Sequence, residues 1–279
     1  MMRNASEREL QQRADRLRGL ILDTVFRAGS GHIGGSLSTA EILTVLYGWE
    51  MQLRPDEPAW VERDRFVLSK GHATPAYYGA LAQSGFFPMK WLNEFRRLDG
   101  RLQGHPDRKC VPGVDMSTGS LGQGVSAAVG MALAAKLRGK KHRVYALLGD
   151  GELQEGQVWE AMMLAAHRRL DNLCVIIDYN GVQSDGRIEA VNSPEPIDRK
   201  LEAFNLRVIE ADGHSVRALM RAFVEARGTS GRPAAILAHT IKGKGVPFME
   251  GKAEWHGKVP NAEEYAAAKA ALAKAGESA

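Results

Sequence analysis

The chain has 279 residues, 44% hydrophobic and 25% charged, with a net charge of +4; a chain this long buries roughly 70–75% of its unfolded surface and needs no staples. Its only cysteines, Cys110 and Cys174, imply no disulfide framework, and no apolar run nears the ~20 residues that cross a bilayer. The opening MMRNASEREL lacks a signal-like apolar stretch and the basic cluster RGKKHR (138–143) lacks interleaved aromatics to stack bases, so membrane and nucleic-acid partners are not expected, a cytoplasmic location is, and the mild positive excess suits a small anionic ligand.

SEREL opens with a Ser6/Glu9 capping box. Leu10, Ala14, Leu17, Ile21 and Val25 then recur at helical spacing, which predicts a first helix ending at the glycine-rich AGSGHIGGS. A second helix is predicted over 39–49, a short strand in RFVLSKGH (65–72) running into a glycine turn, and a helix over 73–83. A mixed-charge loop follows through RLDGRLQGHPDRKCVPGVDMSTGS; loops this long inside compact domains are functional or disordered. LGQGVSAAVGMALAAKL (121–137) is rich in small residues and reads as a buried, closely packed helix. From there strands alternate with helices. RVYALL (143–148), a helix over 155–169, LCVIID (173–178), LRVIEA (206–211), a helix over 215–227 and PAAILAHT (233–240) follow one another, and NAEEYAAAKAALAKA (261–275) closes as a helix. Such alternation predicts βαβ units: an α/β fold with a mostly parallel sheet and helices on both faces. With no internal repeat or linker, residues 1–279 read as one domain.

The apolar VYALL stops at Gly149-Asp150-Gly151, where a helical pattern takes over. In open α/β sheets ligands bind beyond the carboxyl ends of strands. Asp150 stands at one such end, and Asn180 stands just past the next, 30 residues on, about one βαβ unit. Neighbouring strands would bring these ends to ~5 Å of each other, so that a carboxylate and an amide carbonyl could hold one ion. Hard oxygen donors favour magnesium or calcium over zinc, and magnesium completes its shell with phosphate oxygens and water. Gly151 lets the backbone approach a phosphate closely, and the following helix offers unpaired N–H groups. The pattern predicts a magnesium-bound diphosphate. On its own GDG reads more simply as a strand–turn–helix junction capped by Asp150; Asn180 at βαβ spacing reverses that preference. Gly122, Gly124 and Ala127 spell the dinucleotide fingerprint, but no strand-like run precedes them and HRVYA stands where an acidic residue is needed. A Rossmann nucleotide site is therefore not expected.

GDGELQEG followed by DYNGVQSDG resembles the thiamine diphosphate motif. SGHIGGS, LSKGHATPAYYGAL, LQGHPD, STGSLGQGVSAAVGMAL, HTIKGKG and EWHG, in that order between about residues 10 and 260, resemble the amino-terminal domain of transketolase. The resemblance implies that Asp150, Asn180 and the backbone carbonyl of Val182 bind magnesium. It makes Gly151, His72 and His256 diphosphate contacts, and Gly119 and Leu121 contacts to the thiazolium region. His32, His72, His105 and His256 match the histidines lining the substrate channel, which hydrogen-bond sugar hydroxyls and move protons, as imidazole can near neutral pH. Glu155, beside the cofactor, and Glu160 match acidic positions near the subunit contact; a solvated helix face is an equally open reading of both. His142, His167, His214 and His239 read as ordinary: a basic loop, a helix beside arginines, a turn before a helix, and a strand end. Ser120 replaces a proline frequent in the family.

Full-length transketolases continue into a second domain that carries the glutamate activating the cofactor, together with further contacts to the sugar phosphate. This chain, stopping at Ala279 after an amphipathic helix, reads as complete. The resemblance therefore implies the amino-terminal subunit of a split transketolase. In a two-plus-two heterotetramer with a separate carboxy-terminal subunit, it would move a two-carbon ketol unit from a ketose to an aldose, usually phosphorylated. Two alternatives are one half of another thiamine diphosphate enzyme acting on a 2-oxo acid, and a non-catalytic cofactor-binding module. The four histidines argue against the first and the intact motifs against the second.

Overall fold

Five parallel strands form the centre of the molecule: β1 (Arg65–Leu68), β2 (Val144–Gly149), β3 (Leu173–Tyr179), β4 (Arg207–Asp212) and β5 (Ala234–His239), in the spatial order β1-β2-β3-β5-β4. The computed structural model describes residues 5–277, so residues 1–4 and 278–279 of the single expected domain lie outside it. β2 and β3 read as near-continuous apolar runs and are buried along almost their whole length, as strands covered on both faces must be. Gly149 pairs with Asp178. The two strands whose ends carry Asp150 and Asn180 are therefore neighbours.

Ten helices surround the sheet among the described residues: α1 (Glu7–Ala28), α2 (Gly34–Leu37), α3 (Ala40–Val45), α4 (Thr74–Gln83), α5 (Gln123–Leu137), α6 (Gly156–His167), α7 (Ile188–Asn192), α8 (Ile197–Ala203), α9 (Val216–Gly228) and α10 (Ala262–Glu277). The expected capping box opens α1, and its apolar stripe of Leu10, Ala14, Leu17, Ile21 and Val25 is buried. Side chains alternate along each strand. Phe66, Tyr145, Leu147, Cys174 and Ile176 face α1, α3, α4 and α9, while Val67, Ala146, Leu148, Val175 and Ile177 face α5, α6 and α8. Cys174 is fully buried among apolar neighbours, where a free cysteine packs as a small hydrophobe.

Four expectations need correction. The glycine-rich loop after α1 contains the short α2, and the helix predicted over 39–49 divides into α3 and a wider π-helical turn, Leu46–Glu50. α5 is buried on one face only; Gln123, Ser126, Gly130 and Ala134 are exposed and Leu137 is 79% exposed. α7 and α8 had no sequence signal, being five and seven residues long without side-chain caps. The helix predicted over 155–169 forms as α6, but the helix start expected to face an anion beside Asp150 does not. A single 3₁₀ turn, Gly151–Gln154, intervenes before α6, so the amino-terminal end of α6 does not lie at Gly151. Among the described residues no helix is long and apolar enough to cross a membrane.

Candidate functional site

A cavity of about 270 Å³ opens beyond the carboxyl ends of β1, β2 and β3, with Lys70, His72, Leu121, Asp150, Gly151, Glu155, Asn180, Val182, Lys242 and His256 in its walls. Asp150 is 2% exposed. Its carboxylate accepts from the Gly151 amide at 2.8 Å and the Gly181 amide at 2.5 Å, which ties the turn after β2 to the turn after β3. Burial, and then the charge of Asp178, push its carboxyl up to about 6. Asn180 donates from Nδ2 to Asp178 at 2.9 Å, and its Oδ1 accepts from the Val182 amide at 3.1 Å. The amide orientation is thus set from both sides.

Asp178, the last buried residue of β3, joins four segments. It is fully buried and accepts from Lys70 Nζ (2.6 Å), Ser38 Oγ (2.8 Å), Asn180 and Thr240. Burial alone would raise its carboxyl; the Lys70 ammonium and the donated hydrogen bonds outweigh burial and hold it below the ordinary carboxylate range. Lys242 is 2% exposed and its Nζ donates to the Val182 carbonyl at 3.0 Å, to the Gln183 carbonyl at 3.3 Å and to His256 Nδ1 at 2.9 Å. Burial and the neighbouring Lys70 lower this ammonium to about 8. An ammonium has only donors, so His256 Nδ1 accepts and its ring proton sits on Nε2. Sequence reasoning missed both lysines, although they lie inside the quoted LSKGH and HTIKGKG. It also missed Glu152, which accepts from Ser69 Oγ (2.5 Å) and from the amides of Gly122 (2.8 Å) and Gly149 (3.2 Å), clamping the loops that frame the cavity. A usable signal was the placement of a charged side chain directly at the end of a buried strand, where little surface is free to receive it.

The four selected histidines converge. Ring centroids lie 4.9 Å apart for His72–His256, 5.2 Å for His32–His72 and His32–His256, and 6.3 Å for His32–His105. Burial, followed by nearby positive charge, depresses all four. His32 falls to about 4, His256 to about 3, His72 well below the ordinary range, and the more exposed His105 is also lowered. All are therefore neutral at pH 7. The Nδ1 atom of His32 is buried without a hydrogen-bond partner among the described residues.

Gly119 lies against the His105 ring, which a Cβ there would approach to 3.2 Å, and Leu121 lines the cavity. Ser120 is exposed. Glu155 is exposed at the cavity rim, whereas Glu160 lies on the open face of α6, away from the cavity walls. Gly122 starts α5 from a loop rather than a strand, in line with the rejected dinucleotide reading. His142, His167 and His239 stand where expected: before β2, at the end of α6 and at the end of β5. His214 does more than shape its turn. Its Nε2 accepts from the Ile241 amide at 2.8 Å and its Nδ1 meets the buried Glu41 at 3.1 Å, next to Arg18 at 2.6 Å. This pins the segment that carries Lys242.

The family model described as the transketolase thiamine diphosphate binding domain matches residues 10–277. The chain is 46% identical over 268 residues to a 6-deoxy-6-sulfo-D-fructose transketolase subunit of Clostridium sp. (strain MSTE9), covering 96% of this chain and 98% of that protein. It is 42% identical over 264 residues to an apulose-4-phosphate transketolase subunit of Actinobacillus succinogenes, covering 94% and 95%. Against the longer Homo sapiens transketolase it is 43% identical over 250 residues but spans only 40% of that chain. The crystal structure of Campylobacter jejuni transketolase superposes with a TM-score of 0.90 at 36% identity, over 95% of this chain and 42% of that one. The chain belongs to the transketolase family, as its amino-terminal, thiamine diphosphate-binding domain.

Proposed function

We propose that the chain is the thiamine diphosphate- and magnesium-binding subunit of a two-subunit transketolase. It moves a two-carbon ketol unit from a ketose to an aldose, at least one of them carrying a phosphate or a sulfo group. The observation that carries this reading is the row of four neutral histidines leading to a cavity that holds Asp150, Asn180 and two buried lysines. Two relatives of matching length are named as transketolase subunits, which supports a separate partner. That partner would supply the activating glutamate and further sugar contacts in a cytoplasmic two-plus-two heterotetramer.

The residues present fit both groups. Asp150, pushed up to about 6, is a carboxyl whose charge an adjacent cation would restore. The Val182 carbonyl already holds a cation, the Lys242 ammonium, at 3.0 Å. Among the described residues no cluster of three or more His, Cys, Asp or Glu is arranged to hold a metal. An ion held by one carboxylate and two carbonyls would share its shell with phosphate oxygens and water, which is the habit of magnesium. Lys70 is paired with Asp178, so Lys242 is the lysine that meets the charge of a diphosphate, and Gly151, without a side chain, lets that group approach its backbone.

When bound, thiamine diphosphate supplies the nucleophilic thiazolium carbon. The chain orients the sugar and handles protons. His256, its proton held on Nε2 by Lys242, is a donor. His32, half-buried between His72, His105 and His256, is placed to contact a sugar hydroxyl. Because all four rings are neutral, each can donate at one nitrogen and accept at the other.

Asp150→Ala should abolish magnesium-dependent retention of thiamine diphosphate while circular dichroism stays native; unchanged affinity by calorimetry would sink the metal assignment. A tagged pull-down should recover a stoichiometric partner, and the pair should transfer a ketol unit. Decarboxylation of pyruvate in place of ketol transfer would move the reading to a 2-oxo acid enzyme.

A further inference from the structure

His214 stands in the turn between β4 and α9, outside the walls of the cavity that holds Asp150, and it bonds to the segment that carries Lys242. Three amides tie that segment to other parts of the fold. Thr240 donates to the Tyr179 carbonyl at 3.0 Å and Gly243 to the Gly34 carbonyl at 3.0 Å, both backbone to backbone. Ile241, the residue before Lys242, donates instead to His214 Nε2 at 2.8 Å. Of the three, this bond alone ends on a side chain, so it is the one a substitution can remove. The turn fits the segment closely. The Gly213 amide donates to the His239 carbonyl at 2.8 Å, and a Cβ on Gly213 would stand 2.3 Å from Thr240 Cγ2.

The state of the His214 ring is itself imposed. Its Nδ1 meets Glu41 Oε2 at 3.1 Å, and Arg18 holds the same oxygen at 2.6 Å. Both of these partners are buried. Burial would raise the Glu41 carboxyl; the Arg18 charge and the hydrogen bond to His214 outweigh it and hold the group below the ordinary carboxylate range. A carboxylate only accepts, so Nδ1 carries the ring proton and Nε2 is left bare for Ile241. Arg18 also touches the segment further on: a Cβ on Gly245, whose φ is 91°, would stand 3.1 Å from Arg18 Cδ. A buried ion pair is weak evidence for stability, and its best-attested use is to fix one arrangement against its alternatives. Here the fixed arrangement runs from Arg18 on α1 through Glu41 on α3 and His214 to Ile241.

One residue on, Lys242 carries that order into the cavity. Its Nζ donates to the Val182 and Gln183 carbonyls and to His256 Nδ1, which leaves the His256 proton on Nε2. Lys242 and His256 both line the cavity. We propose that His214 is a positioning residue for thiamine diphosphate: by taking the Ile241 amide it fixes where Lys242 meets the diphosphate, and through Lys242 it fixes which nitrogen of His256 bears the proton. The proposal rests on the cofactor roles given to Lys242 and His256 above. The two histidines hold opposite tautomers, His214 with its proton on Nδ1 against a carboxylate and His256 with its proton on Nε2 opposite an ammonium, and Ile241 and Lys242 join them.

The test compares wild type with His214→Phe, which keeps the bulk of the ring and loses the acceptor, and with His214→Gln, whose Oε1 can take the amide in place of Nε2. In the assembled two-subunit enzyme His214→Phe should raise the KM for thiamine diphosphate about tenfold or more, the usual cost of losing an outer partner of a ligand-holding group. The KM for the ketose should stay near its wild-type value, and His214→Gln should restore most of the loss. A lower melting temperature with the cofactor KM unchanged would make His214 purely structural and overturn the proposal. A second readout needs neither cofactor nor turnover. Long-range nitrogen–proton NMR of the full chain at pH 7 reports which nitrogen of each ring carries the proton, the two rings being assigned by their loss in His214→Gln and His256→Gln. Wild type should show His214 protonated on Nδ1 and His256 on Nε2, and His214→Phe should bring the Nδ1–H form of His256 into the spectrum. The reverse tautomer at His214, or a His256 ring that His214→Phe leaves unchanged, overturns the proposal, even where no thiamine diphosphate binds and it is the cofactor reading that has failed. Where His214→Phe does not fold, His214→Asn, whose amide reaches Glu41 but not Ile241, takes its place.

Discussion

One methyl group is enough to test how closely the site loops are fitted. A Cβ on Gly71 would stand 2.7 Å from the Gly119 amide nitrogen and from Thr118 Oγ1, so the turn before His72 and the loop of Gly119 are in direct backbone contact. Gly71→Ala should cost about 1–3 kcal/mol, the usual range for overpacking. Thermal unfolding would register that as a fall of a few degrees, and calorimetry as weaker thiamine diphosphate binding. At this scale the sequence was legible where chemistry and glycine coincided: Asp150, Asn180 and the four histidines each stand in or beside a glycine-containing motif. Lys70, Lys242 and Glu152 were not legible, because lysine and glutamate are surface residues by default. Only strand order shows that these three point inward. His214 was undervalued for a related reason, since its partners Glu41 and Ile241 are far away in sequence.

Elements meet through Glu152. One carboxylate serves donors from the turn after β1, the start of α5 and the end of β2. Glu152→Gln keeps the size but turns an NH₂ group toward a donor, and an unsatisfied buried group costs about 1–3 kcal/mol. Urea unfolding should show the midpoint lowered with the slope retained; an unchanged midpoint would mean that the loops are held by other contacts. The strands were legible to within a few residues because both faces of each inner strand are apolar. The short helices were not. α2 is held by Ser36 Oγ on the His32 carbonyl and by the Lys242 segment, through Gly243 on the Gly34 carbonyl. The approach to α8 is held by Tyr179 on Glu195. These are tertiary supports with no local periodicity behind them.

Across the whole molecule, four clustered neutral histidines predict how stability responds to acid. A histidine depressed in the folded state, such as His32 at about 4 against 6.5, leaves the unfolded chain binding more protons between those values. Folding stability must therefore fall as pH drops from about 6.5 toward 4, with nothing lost above 6.5. Asp150 acts oppositely, since its raised carboxyl favours the folded state below about 4 and loses that contribution as pH rises through about 6. Asp15, Asp64 and Glu152 are raised likewise, but unfolded carboxyls titrate near 4 and unfolded histidines near 6.5, so just below 6.5 the histidines set the sign and the melting temperature should fall on acidification from pH 7 to 6. A flat profile would mean that these rings take up protons as readily in the folded state as in the unfolded chain. The α/β architecture was readable from the alternation of apolar runs with amphipathic stretches. Strand order was not, because a parallel ladder records only which edges meet in space.

That order has a consequence for synthesis. β5 is the last strand made among the described residues, yet it lies inside the sheet, between β3 and β4. A nascent chain halted near residue 230 has no neighbour for β4 and leaves one side of β3 open, the kind of edge that recruits foreign strands. Lys242 and His256 leave the ribosome later still. A polysome therefore carries chains that lack two walls of the cavity and offer an open sheet edge to one another until β5 and the loops after it have emerged.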